Sequence, residues 1–465
     1  MHIPRVPLMW IGSVLLIVGM SGPAEQVFVT LPHLQDVSSS VLVMVHGASD
    51  NGESVRRCAA VNPDGTDYRV LVRDADLYAE FYPVCNGRNI AALAPDGSGW
   101  LQVFRYPNDL DTYYDDEYKL EIRDDDGRNP ITLDSSVFGQ LGGLTFSWRT
   151  TWLPDSQHVL FWDKDESDDP FVNLGTGQLH LLGVAPVTDT VVAAFSDGNH
   201  RPVITITPDG QPGMAISPDG EQMLFNSYGP GSRSLDIVHL DGSGVDTLVE
   251  SANVGFCVNW SLDSRQIIFE QWRETNITIE IVNVDGSGQT TLAEGRYPVW
   301  SPDGRQITFS CPGENGRYGV CLIEPDGSGL RQLEIDYSGD ALSLYWSPDG
   351  SKLAFIGQRP ETESEIPEVE TYDLVIYDFD TQHTYTLLSH ESPSVWDCGN
   401  YENAIKWSPD GEWVLYWYFL PDMHGGAVVW GDSVYYVCNL EGCRDVYDVV
   451  DTGGFISHIR WMPVR

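Results

Sequence analysis

A five-residue phrase, Trp-Ser-Pro-Asp-Gly, recurs at 300–304, 346–350 and 407–411, each time closing one apolar run and opening another rich in Ile, Leu and Phe. Degenerate copies stand at Trp152-Leu153-Pro154-Asp155, Trp260-Ser261-Leu262-Asp263 and Trp461-Met462-Pro463. Two copies lack the Trp: Ala94-Pro95-Asp96-Gly97 and Ser217-Pro218-Asp219-Gly220. With the Pro (or Leu262) as marker, the copies fall at 95, 154, 218, 262, 302, 348, 409 and 463. The successive spacings are 59, 64, 44, 40, 46, 61 and 54. Self-similarity at such a period marks a repeat architecture, in which one supersecondary unit is stacked many times.

The chemistry of the phrase gives the unit its shape. Pro presets the backbone for the first central position of a tight turn, Asp bonds neighbouring amides, and Gly supplies the left-handed residue that returns the chain antiparallel. Each copy is therefore a hairpin. A second hairpin signal follows in several units at Asp241-Gly242-Ser243-Gly244, Asp285-Gly286-Ser287-Gly288 and Asp326-Gly327-Ser328-Gly329. Two hairpins per repeat make four antiparallel strands, the composition of a propeller blade. The chain is expected to be all-β, a single β-propeller over 41–465 with eight blades, or seven if the irregular stretch 184–213 hides a different strand assignment. Phe455–Trp461 reads as an inner strand. Val41–Val45, Cys58–Asn62 and Tyr68–Val72 read as the second, third and fourth strands of a blade lacking its first. One blade shared by the two termini would close the ring and remove exposed edges.

The Trp-Ser-Pro-Asp-Gly and Asp-Gly-Ser-Gly units resemble the TolB-like, or WD-like, β-propeller repeat of bacterial envelope proteins, over roughly residues 41–465. That resemblance implies the fold. It leaves function open, since the repeat serves translocation accessories, peptidase gates and polysaccharide lyases alike. The TolB translocation protein itself pairs an α/β domain with a six-bladed propeller, whereas here strands follow almost directly on the N-terminal segment, so the chain is not read as TolB.

Arg5, the apolar run from Val6 to Met20 and the small residues Ser21-Gly22-Pro23-Ala24 read as an export signal at 1–24, or a retained N-terminal anchor, with 25–40 as linker. The mature chain is expected to be periplasmic or extracellular. In such a compartment the eight Cys are compatible with disulfides. Cys311 with Cys321 and Cys438 with Cys443 flank tight turns, and Cys58 with Cys85 is a third candidate pair. Cys257 and Cys398 have no evident partner.

The charge is strongly acidic, with 68 Asp+Glu against 26 Lys+Arg, a formal net of −42. That balance excludes a basic nucleic-acid-binding module. The longest insertions follow second strands, at 105–118, 163–171, 358–372 and 419–433, so all four are expected on one face. The first three each hold five acids and one base. The face is read as a site for a protein partner or cationic ligand, around Asp109, Asp111, Tyr113, Tyr114, Asp115, Asp116, Glu363, Glu365, His424 and Trp430. The alternative is a solvated acidic surface serving solubility or adaptation to high salt. Calcium is the one cofactor considered, at Asp163, Asp165 and Asp168, a spacing without the Gly of a complete calcium loop. No Gly-x-Ser-x-Gly elbow or His-Glu-x-x-His pattern occurs, and no catalytic residue is assigned. The reading is a non-catalytic, monomeric binding scaffold. The alternative is a carbohydrate-active enzyme, a glycoside hydrolase or lyase, using carboxylates at the channel mouth.

Overall fold

The computed structural model describes residues 41–48, 54–64, 66, 69–73, 91–95, 99–106, 117–124, 131–133, 150–164, 177–184, 187–195, 200–206, 212–229, 232–313, 316–359, 369–393, 405–424, 427–446 and 455–461. Among them the strands form eight four-stranded antiparallel sheets and one two-stranded pair. In chain order, sheet 2 runs from Ala91–Leu93 to Ile131–Leu133, sheet 3 from Thr150–Trp152 to Val187–Phe195, and sheet 4 from His200–Pro202 to Gly244–Ala252. Sheet 5 comprises Val254–Trp260, Gln266–Trp272, Ile277–Asn283 and Thr290–Glu294. Sheet 6 comprises Arg296–Trp300, Ile307–Pro312, Tyr318–Ile323 and Arg331–Gln332. Sheet 7 comprises Asp340–Trp346, Lys352–Gln358, Val369–Asp378 and His383–Pro393, and sheet 8 Lys406–Trp407, Val414–His424, Ala427–Asn439 and Gly442–Asp445. Sheet 1 joins both ends of the chain. Its Val41–Ala48 strand pairs on one side with Ser54–Val61 and on the other with Phe455–Trp461, with Val41 opposite Trp461.

Two local departures from the sequence reading have simple causes. Within the irregular stretch 184–213 the described residues form strands: Val187–Phe195 completes sheet 3, His200–Pro202 opens sheet 4, and a small hairpin of Ile204–Ile206 with Pro212–Met214 is inserted there. The 419–433 insertion is not an irregular loop, because the two middle strands of sheet 8 continue through it, pairing Pro421 with Trp430 and His424 with Ala427. Its run of aromatic and β-branched residues suits a pleated ladder.

The period-2 alternation of the second strands of sheets 5 and 7 packs these sheets against their neighbours. Ile267 and Phe269 join an apolar cluster shared with sheet 4, while Ile268, between them, joins a cluster shared with sheet 6. Phe355 likewise faces sheet 6 while Ala354 and Ile356 face sheet 8. Both faces of these two strands are thus buried, and apolar burial is worth about 25 cal/mol per Å² removed from water.

The repeated phrase acts as one hydrogen-bonded device. In sheets 4 to 8 the Ser hydroxyl donates to the Asp two residues on, at 2.6 Å in Ser217–Asp219, 2.7 Å in Ser261–Asp263, Ser301–Asp303 and Ser347–Asp349, and 2.5 Å in Ser408–Asp410. The same hydroxyl accepts the amide that opens the next strand, as from Gln306 at 3.0 Å and Trp413 at 2.9 Å. Gly304 sits at φ 69°, the left-handed geometry the turn requires. Ser264 holds that place at φ 60° in sheet 5, and its hydroxyl accepts the Asp219 amide of the neighbouring turn at 3.0 Å. Three of the phrase Trp residues reach back to the preceding sheet: Trp260 Nε1 donates to Ala215 O, Trp346 Nε1 to Thr308 Oγ1, and Trp407 Nε1 to Tyr345 O, whereas Trp300 Nε1 is buried without a hydrogen-bond partner among the described residues.

Two of the expected disulfides are present, Cys311–Cys321 and Cys438–Cys443. Cys257, for which the sequence offered no partner, is also disulfide-bonded. Such bonds fit an exported protein.

Candidate functional site

The Ser-Pro-Asp-Gly turns all lie at one end of the sheets, so the connections from second to third strands gather at the other. There the described side chains of sheets 5 to 7 form a continuous polar belt. In sheet 5, Glu270 is buried at 2% exposure, yet it accepts the Trp272 indole N–H at 2.9 Å and the Tyr297 amide of sheet 6 at 2.7 Å. Gly255 leaves the space for this clamp, since a Cβ there would stand 2.5 Å from Trp272 Nε1. Arg273, at the end of the same strand, donates to buried Glu280 at 2.9 Å, and Thr278 and Thr291 donate to that same carboxylate oxygen.

The belt crosses to sheet 7 through Asp340, which accepts Arg317 Nη1 at 3.1 Å and the Tyr318 amide at 2.7 Å. It ends on Asp373, a buried carboxylate gripped by Arg359 through both Nε, at 2.8 Å, and Nη2, at 3.0 Å. Tyr337 Oη donates to it at 3.0 Å, and Ser389 donates as well. Burial and the adjacent Asp373 hold the Tyr337 phenol above its ordinary range. Gly357 is needed here, because a Cβ would meet the Tyr337 ring at 2.3 Å. Beside this group His390 is packed between Tyr416 and Tyr418, with Nε2 2.5 Å from Tyr416 Oη. Burial pushes its imidazole down to about 4, so the ring is neutral near pH 7.

The inner strands of sheets 5, 6 and 7 each carry a register shift at this end, between Val254 and Val258, Arg296 and Val299, and Leu342 and Leu344. Two of them hold a non-Gly residue in the left-handed region, Tyr297 at φ 57° and Ser343 at φ 44°. Bulges of this kind re-aim a strand and collect beside functional surfaces. The Glu270 bond to the Tyr297 amide is one contact that holds this geometry.

Chemically, the belt positions guanidinium groups. Glu270, Glu280, Asp340 and Asp373 each accept two or more hydrogen bonds, so their oxygens are already engaged within the protein. His390 and its tyrosines lie in the outer and middle strands, buried from solvent. Among the described residues no group of three or more His, Cys, Asp or Glu is arranged to hold a metal ion.

The residues singled out from the sequence fall largely elsewhere. Asp109, Asp111, Tyr113, Tyr114, Asp115, Asp116, Glu363, Glu365, Asp165, Asp168 and Cys85 lie outside the described residues, as does the N-terminal segment 1–40. Asp163 stands opposite Gln178 within a strand of sheet 3, and Cys58 opposite Met44 in sheet 1. The belt itself was missed. Its one local signal is an Arg in the connection from second to third strand, directly after the second strand at Arg273 and Arg359 and directly before the third at Arg317.

No family model matches the chain, and no curated protein matches it. Solved structures do. An oligogalacturonate lyase in complex with manganese is 13% identical over 86% of this chain and 96% of that one, with a TM-score of 0.49. A putative TolB from Agrobacterium tumefaciens is 18% identical over 68% and 90%, at 0.36. TolB from Acinetobacter baumannii is 13% identical over 74% and 79%, at 0.37. The neighbours thus include TolB proteins, and the likeness is one of fold.

Proposed function

We propose that this chain is an exported, non-catalytic propeller scaffold that docks a protein partner on its acidic long-loop face. The eight sheets, with the two chain ends paired in sheet 1, support a closed ring of eight blades. The observation that carries the docking reading concerns Arg359. It is the only base in the 358–372 insertion, which holds five Glu, and its guanidinium is committed to the buried Asp373. The insertion therefore has no base of its own to neutralise Glu361, Glu363, Glu365 and Glu368, and its net charge is available to a basic partner. The saturated carboxylates of sheets 5 to 7 weigh against the alternative, a carbohydrate-active enzyme, for that part of the face.

The test is affinity capture from envelope extract with residues 25–465 immobilised, at low and moderate salt. A basic protein is expected to be retained, and released when Glu361, Glu363, Glu365 and Glu368 become Gln together with the acids of 109–117 changed to Asn or Gln. Retention of the same protein by that variant overturns the reading, as does the absence of any retained protein.

A further inference from the structure

Asn-x-Ser/Thr, with x other than Pro, is the acceptor motif for N-linked sugars on exported chains. The sequence holds it twice, at Asn259-Trp260-Ser261 and Asn276-Ile277-Thr278. The fold treats the two in opposite ways. Asn259 lies in the first strand of sheet 5, where its Nδ2 donates to Pro298 O of sheet 6 at 2.9 Å. Its neighbours are committed too, Trp260 to Ala215 O and Ser261 to Asp263. A sugar on the Asn259 nitrogen would break a bond between two sheets. Asn276 instead lies in the short connection between Gln266–Trp272 and Ile277–Asn283. Its carbonyl accepts the Arg273 amide at 2.9 Å, which fixes the backbone of the turn. Its side chain is partly exposed and makes no hydrogen bond among the described residues. The same turn follows Trp272, the one aromatic among the exposed large apolar side chains described, at 42%. A ring face of that kind is apolar surface that an attached sugar can cover.

Thr278 sets the order of events. In the fold its hydroxyl is buried, donating to Glu280 at 2.9 Å and accepting Arg273 Nε at 3.3 Å. The motif needs that hydroxyl, so sugar transfer belongs to the extended chain, before Gln266–Trp272 pairs with Ile277–Asn283. We propose that Asn276 is an N-glycosylation site, modified from a lipid-linked oligosaccharide before sheet 5 closes. In the transfer, Asn276 Nδ2 loses a proton and bonds to C1 of the reducing-end sugar. The bond from C1 to the lipid pyrophosphate oxygen breaks, and lipid pyrophosphate leaves with the electron pair. The site rests on the export part of the proposed function and is independent of what docks on the acidic face.

The chain is purified separately from the envelope and the cytoplasm of its own cells, digested with trypsin, and its peptides measured by mass spectrometry. The 274–296 peptide of the envelope form is expected to carry a mass increment of whole sugar units, and the 234–265 peptide, which contains Asn259, none. Asn276→Gln changes a partly exposed side chain, keeps the fold by its melting curve, and is expected to abolish the increment. Thr278→Ser retains the hydroxyl and is expected to keep it. An unmodified 274–296 peptide in the envelope form overturns the site and leaves export and docking standing. An increment that survives Asn276→Gln, or that lies on 234–265 instead, overturns it as well. A chain confined to the cytoplasm overturns export, and the modification with it.

Discussion

The two ends of the sheets are built on opposite plans. At the turn end, sheets 4 to 8 repeat a single arrangement in which a Ser hydroxyl bridges an Asp carboxylate and the next strand's amide. At the other end sheets 5 and 7 share an Arg bonded to a buried third-strand acid, but the remaining partners differ among sheets 5 to 7. Glu270 holds an indole and an amide, Asp340 an arginine and an amide, and Asp373 an arginine, a phenol and a hydroxyl. The turn device closes within five residues, so duplicating a repeat duplicates it whole. The loop-end partners lie 27, 22 and 36 residues apart, in the Glu270–Tyr297, Asp340–Tyr318 and Asp373–Tyr337 contacts. The two junctions of sheets 5 to 7 thus rest on contacts between residues distant in sequence rather than on one copied turn.

The largest expected effect tests whether the loop end is structurally weightier per residue. Asp373→Ala removes a buried acceptor shared by Arg359, Tyr337 and Ser389, and should cost about 3 kcal/mol, read from a urea unfolding midpoint. Asp303→Ala, at the exposed turn end, should cost about 1 kcal/mol. Equal losses would break the comparison.

Acid should separate the two ends next. His390 titrates at about 4 in the fold and near 6.5 when unfolded. Between those values the unfolded chain binds a proton that the native chain does not, so stability falls as pH drops, by about 2 kcal/mol from pH 6.5 to pH 5. Asp263 and Asp303, whose carboxyls are held below their usual range chiefly by bonds from Ser261 and Ser301, contribute stability that is lost only at lower pH, as it falls through those depressed values. His390→Gln should therefore flatten the decline between pH 6.5 and pH 5. A slope unchanged by that substitution would assign the acid sensitivity elsewhere.

The smallest effects lie within the repeated device. Trp407→Phe removes the indole bond to Tyr345 O and should cost about 1 kcal/mol. Ser264→Gly should be near neutral, because relief of left-handed strain offsets loss of the bond from the Asp219 amide. Melting temperatures would sharpen both values, and a clear gain for Ser264→Gly would show that the cross-sheet bond contributes nothing.

Much of the fold was legible because its signals are local. Trp300 to Gly304 state their turn within five residues, and the alternation of Ile267, Ile268 and Phe269 states which neighbour each side chain meets. Cys311 and Cys321 were legible because their hairpin sets their distance. The hairpin at 204–214 and the continued strands at 421–430 were not, because Gly, Pro and polar residues there weaken a pattern that pairing partners restore. The charge count of the insertions was legible too, but not which charges are already engaged.

The sequence by itself determined a repeat of four-stranded antiparallel units, its turn chemistry, two disulfides and a surface with excess acid, all of which follow from neighbours along the chain. Only the tertiary structure decided that Arg359 belongs to Asp373, that Glu270 clamps the Tyr297 amide of the next sheet, and that Arg273 and Arg317 stand outward from the acids that hold them. Those choices depend on which sheet edges meet and how deeply each carboxylate is buried. Burial fixes which charged groups are paired, and no residue carries that information alone.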